Sequence, residues 1–135
     1  MDASKMYSNI SVTTQERGKL IVMLYEGAIK FLKVAKQKIE QGDWAAKGAY
    51  IGRAQAIVSE LNSSLDMEVG GELAQNLRSI YNFVHKQLTN ANLERDPARV
   101  QECINILNEL HGGWEQVTAS ASCAGGDAGN EGCTV

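Results

Sequence analysis

A single proline, Pro97, stands in a chain of 135 residues. Almost nothing therefore interrupts a helix, and apolar residues recur at helical spacing through four long stretches. The first opens near Thr13, which has Glu16 three residues on, the capping-box spacing. At 100° per residue, Leu20, Ile21, Leu24, Tyr25, Ala28, Phe31, Leu32 and Ala35 fall within an arc of about 140°. Val22 and Ile29 widen that arc. Gly42 stops the helix and Asp43 can cap the next one. The second stretch runs from Trp44 to about Asp66, with Tyr50, Ile51, Ala54, Ile57, Val58, Leu61 and Leu65 on one face. Gly70-Gly71 breaks the pattern. The third runs from Glu72 to about Asn92 and repeats Leu73, Leu77, Ile80, Tyr81, Val84 and Leu88. Asp96-Pro97, an N-cap followed by proline at the first helical position, opens the fourth. That stretch carries Val100, Cys103, Ile104, Leu107, Leu110, Trp114 and Val117, and frays near Thr118.

The connections are a few residues long, so neighbouring helices must run antiparallel. No segment alternates like a strand between turn residues. The expected fold is all-α, an antiparallel up-down-up-down four-helix bundle. Residues 1–12 form a short N-terminal arm and 13–118 the bundle. Residues 119–135, rich in Gly, Ala and Ser and without an aromatic residue, read as a disordered tail.

Composition narrows the function. Net charge is -3, against the phosphate-neutralising basic surface that general nucleic-acid binding needs. Residues 1–41 hold seven Lys/Arg and four Asp/Glu, whereas 42–135 hold six and twelve. No 18-residue apolar run suggests a membrane span. Met1–Met6 lacks the apolar core of a secretory signal peptide. The three cysteines, Cys103, Cys123 and Cys133, fit neither a disulfide framework nor a zinc knuckle, and unpaired thiols suit a reducing, cytoplasmic compartment. Cys103, in helical phase beside Ile104, reads as a small core residue.

Bundles often host metals, haem or phosphotransfer sites. Di-iron bundles use a Glu-x-x-His step, but Asn82 and Asn108 stand three residues before His85 and His111. There is no CxxCH. The double glycines Gly70-Gly71 and Gly112-Gly113 are helix punctuation, not phosphate loops. His85, next to Lys86, allows a phosphotransfer reading but lacks small neighbours for a partner domain. No cofactor and no catalytic set is expected, so the chain should act by binding. The apolar arc of the first helix exceeds what one core requires, and Tyr50 and Phe83 lie at or beyond the edges of their stripes. Excess apolar surface rimmed by charge marks a partner groove. The candidate partner-binding residues are Tyr7, Ile10, Val22, Tyr25, Ile29, Tyr50, Ile57 and Phe83. The arm carrying Tyr7 and Ile10 can cover that groove until a partner displaces it.

Several motifs, in order, resemble one family. Met6-Tyr7 and Val12-Thr13 precede Lys19-Leu-Ile-Val-Met-Leu-Tyr-Glu-Gly-Ala-Ile-Lys-Phe-Leu32. Arg53-Ala-Gln-Ala-Ile-Val-Ser-Glu-Leu61 follows, then Ser64-Leu65-Asp66 and Gly70-Gly71-Glu72. Asn76-Leu77, Tyr81, Ala91-Asn92 and Trp114 complete the set. Over roughly residues 6–117 the chain resembles the flagellar secretion chaperone FliS family. The family often begins its first helix with a Thr-Ala-Ser-Pro-like cap where this chain has Thr13-Thr14-Gln15-Glu16, and the Cys-containing tail has no counterpart.

The resemblance implies a cytoplasmic, non-enzymatic export chaperone. It implies binding of the C-terminal region of flagellin, which prevents premature polymerisation, and help with delivery to the flagellar type III export gate. Contacts with an anti-sigma factor or a flagellin assembly factor are also implied. The bundle is expected as a monomer or weak homodimer. A histidine phosphotransfer bundle acting through His85 and a self-associating structural bundle are the alternatives.

Overall fold

The computed structural model describes the backbone of residues 14–126 and the side chains of 17–115. Four helices follow one another: α1 Thr14–Gln41, α2 Trp44–Ser63, α3 Met67–Glu94 and α4 Pro97–Gly126. Among the described residues there is no strand. α1 packs on α2 and α4, and α3 packs on the same two helices. Cross-helix partners show the directions. Lys36 bonds Gln101 while Glu26 meets His111, and Lys47 bonds Asn92 while Asn62 meets Asn82. Partner numbers fall on one helix as they rise on its neighbour, so these pairs are antiparallel, and the fold is the expected four-helix bundle.

Each junction is built from local chemistry. Gly42, at φ 76°, sends its N–H to Ile39 O while Asp43 N–H reaches Lys38 O. This pairing satisfies the last carbonyls of α1 and needs a left-handed residue, which glycine adopts without a Cβ clash. Asp43 then caps α2 by accepting from Ala46 N. Asp66 caps α3, accepting from Glu68 N and Val69 N. That use of Asp66 ends α2 at Ser63, short of the expected boundary. Asp96 accepts from Ala98 N, ahead of Pro97 in the first turn of α4.

Two boundaries depart from expectation. α3 begins at Met67, not Glu72; its first turn precedes a kink at Gly71, whose φ 53°, ψ -126° is not helical. The double glycine thus bends the helix instead of preceding it. α4 continues through Thr118 to Gly126, because the alanines and serines that follow impose no break. Residues 127–135, like the arm 1–12, lie outside the described residues.

The core is one cluster: Tyr25, Ala28, Leu32 and Ala35 from α1; Ile51, Ala54, Val58 and Leu61 from α2; Leu77, Tyr81, Val84, Leu88 and Ala91 from α3; Val100, Cys103, Ile104 and Leu107 from α4. Cys103 is buried as expected, and burial pushes its thiol up to about 12, with Glu102 adding to the rise. Lys47 is the buried charged residue among those described. Its Nζ donates to Asn92 O at 2.9 Å and Asn92 Oδ1 at 2.6 Å, so the cation sits against a free carbonyl at the end of α3, where the helix dipole favours it.

Candidate functional site: an apolar cleft at one end of the bundle

The antiparallel order brings the start of α1, the end of α2 and the start of α3 to one end of the bundle. There they leave an open cleft of about 270 Å³. Ile21 of α1, Leu61 and Leu65 of α2, and Leu73 and Leu77 of α3 form its apolar surface, and Arg17 and Asp66 stand at the rim. The kink at Gly71 separates Val69 and Leu73, both of which line the cleft. They are 86% and 65% exposed. Two such apolar side chains beside a concave apolar floor form a surface suited to an apolar partner.

The floor is held rigidly. Tyr81 and Trp114 line it, and Tyr25 lies directly beneath at 0% exposure. The Tyr25 and Tyr81 hydroxyls are hydrogen-bonded to each other, and Trp114 Nε1 donates to the Tyr25 hydroxyl at 3.2 Å. Three helices are tied by three aromatic polar groups, each satisfied inside the protein. Burial raises the pKa of both phenols above the ordinary 10, most for Tyr25, so both stay protonated and either can donate in the bond they share. Arg78 Nε donates to Asn62 Oδ1 at 3.1 Å, joining α2 to α3 behind the cleft.

The family model described as "Flagellar protein FliS" matches residues 1–121. The flagellar secretion chaperone FliS of Vibrio cholerae is 36% identical over 115 residues, 82% of this chain and 85% of that protein. That of Salmonella typhimurium is 35% identical over 123 residues, covering 87% and 91%. That of Bacillus subtilis is 32% identical over 114 residues, covering 84% of each.

The chain belongs to the FliS family. These relatives are named as chaperones of flagellar secretion. No described helix is long and apolar enough to cross a membrane.

Among the described residues, those singled out from the sequence do not line the cleft. Tyr7 and Ile10 lie outside the described residues. Tyr25 is in the core, where it supports the cleft from below without facing a surface. Ile29 is buried, at 7% exposure. Val22, Tyr50 and Ile57 are half-buried. Tyr50 and Ile57 belong to the seam between α1 and α2. Tyr50 packs on Phe31 with ring centroids 6.0 Å apart, and Arg53 lies over both rings. Ile57 Cδ1 lies 3.4 Å from where a Cβ on Gly27 would stand, so the glycine lets the two helices close. Phe83, 46% exposed, stands apart on α3. His85 is exposed, and its carbonyl accepts from Gln55 and Thr89.

Sequence reasoning missed the cleft because it placed Leu61 and Leu65 in the apolar stripe of the second helix, and Leu73 and Leu77 in that of the third, as core residues throughout. Leu61 and Leu77 are buried; Leu73 is not. The available signal was the double glycine, which falls between Val69 and Leu73 and marks where the helix stops following its neighbours.

Proposed function

We propose that this FliS-family chain is a cytoplasmic, non-enzymatic export chaperone that binds the C-terminal region of flagellin, keeps it from polymerising prematurely and assists its delivery to the flagellar type III export gate. The observation that carries the proposal is the open apolar cleft flanked by exposed Val69 and Leu73, in a chain whose relatives are named flagellar secretion chaperones. An amphipathic helix presents apolar anchors at i, i+3, i+4 and i+7, and a cleft between helix ends takes such anchors. A segment that orders only on binding spends about 2–5 kcal/mol of the gross interaction on that ordering. This cost keeps the complex releasable, as export requires. Arg17 and Asp66 at the rim offer one charge of each sign for orienting the incoming segment.

The test is calorimetry with a flagellin C-terminal peptide, read beside circular dichroism. One-to-one binding with a gain of helix is expected, together with suppression of flagellin assembly by the full chain. Absence of binding at high micromolar peptide overturns the proposal. A tight homodimer indifferent to the peptide would point instead to a self-associating bundle.

A further inference from the structure

At the seam between α1 and α4, His111 stands half-buried with Nε2 3.1 Å from Glu26 Oε2 and 3.9 Å from Glu115 Oε2. All three donor atoms lie within 4.8 Å of one another. One imidazole and two carboxylates suit a borderline divalent cation. Tetrahedral zinc, with bonds of about 2.0–2.2 Å, needs neighbouring donors about 3.3–3.6 Å apart. The two observed spacings bracket that range, and the long glutamate side chains can close the difference by rotation. His111 and Glu26 also line a second cavity, of about 380 Å³, which leaves a coordination position open to water. Lys30 and Lys33 line the same cavity and weaken cation binding by like-charge repulsion.

The position of the cluster gives it a consequence. His111 and Glu115 are four residues apart and span Gly112-Gly113, where an added Cβ would meet nothing within 4 Å. Glycine is a poor helix former because it loses the most backbone freedom on ordering, so the double glycine weakens α4 here. Trp114, which lines the apolar cleft and bonds Tyr25, sits inside the same stretch. A cation held by His111, Glu115 and Glu26 would tie both sides of the double glycine to α1 and hold the Trp114 wall in place.

We propose that Glu26, His111 and Glu115 form a three-ligand site for a divalent cation of the zinc class, which braces the glycine-weakened part of α4 against α1. The inference does not depend on what occupies the cleft. The test uses the full chain, stripped with chelator and titrated with Zn2+ alone. It is run in the wild type and in a Cys123→Ser/Cys133→Ser variant, because thiolates are strong zinc ligands. One Zn2+ per chain is expected in both, with a Kd of about 10 μM or tighter. Zn2+ should raise the melting temperature. His111→Ala and Glu26→Gln should each weaken binding by about tenfold or more and abolish the melting shift. Glu26 is exposed, so its variant keeps the test valid should His111→Ala fold poorly. A Kd weaker than about 10 μM, loss of binding with the tail cysteines, or binding unchanged in both ligand variants overturns the proposal and leaves Glu26 and His111 a hydrogen-bonded pair only.

Discussion

Tyr25 on α1 and Tyr81 on α3 share a hydrogen bond in the interior although 56 residues separate them. The two helices bearing them do not pack directly on each other, so the long phenol side chains bridge the bundle diagonally. Trp114 adds a donor from α4. Tyr25→Phe orphans the Trp114 N–H and one bond of Tyr81, at an expected cost of about 1–3 kcal/mol. The double variant Tyr25→Phe/Tyr81→Phe should cost less than the sum of the singles, because it removes both members of the orphaned pair. Urea denaturation of the three variants measures this; simple additivity would deny the coupling.

Alkaline stability follows from the same burial. Cys103, Tyr25 and Tyr81 are neutral when protonated, and folding raises all three pKa values. As pH rises, the unfolded chain loses these protons first and is stabilised relative to the native state. The contribution of Cys103 is complete below about pH 9 and declines as pH approaches about 12. The tyrosines begin to act from about pH 10. Stability measured between pH 9 and 10 should therefore fall less steeply in Cys103→Ala than in the wild type. Parallel slopes would mean that the thiol is not protected in the fold.

Leu77 has 7% of its surface exposed and belongs to the core cluster. Leu77→Ala should destabilise the bundle by about 2–5 kcal/mol, through lost transfer energy and the cavity left behind. A measured cost below about 0.5 kcal/mol would be incompatible with that packing.

One turn earlier, Leu73 should behave in the opposite way. It is 65% exposed on the cleft, so Leu73→Gln keeps a good helix former and should change stability by less than about 0.5 kcal/mol. If the cleft receives a flagellin helix, the same change weakens peptide binding by about tenfold, or roughly 1.4 kcal/mol. Unchanged affinity in both Leu73→Gln and Val69→Ser would move the binding surface elsewhere on the bundle.

Gly71 tests the kink. At φ 53°, ψ -126° any side chain is strained, so Gly71→Ala should cost about 1–3 kcal/mol. It should also shift Val69 relative to Leu73 and weaken peptide binding more than Leu73→Gln does. Gly70 resists substitution for another reason: an added Cβ would come 2.7 Å from the Ala74 Cβ. A stability gain in Gly71→Ala would show that the residue is free to enter an ordinary helix.

Much of this was legible in the residue order. Apolar spacing located four helices, Asp43 and Asp96 lie where caps are needed, and Cys103 follows the core phase, whereas Asp66, read as the end of the second helix, caps the third. Family membership could be read from motifs spread between Met6 and Trp114. The candidate site was not legible in the same way. Tyr25 and Leu73 are both apolar-phase residues on amphipathic helices, yet one is fully buried and the other mostly exposed. Periodicity assigns a residue to a face of its helix and says nothing of where along the axis a neighbour covers that face.

The sequence by itself determined that the chain forms four helices and which stripe of each seeks the core, because these depend on short-range sterics and spacing. Only the tertiary structure decided which part of each stripe is left uncovered. α2 ends at Ser63, α3 enters through a bent turn, and Trp114 closes the floor from a helix that begins only at Pro97, 32 residues after Leu65. The cleft exists because four helix ends of unequal reach meet at one end of the bundle. That mismatch is a property of their assembly, carried by no single segment.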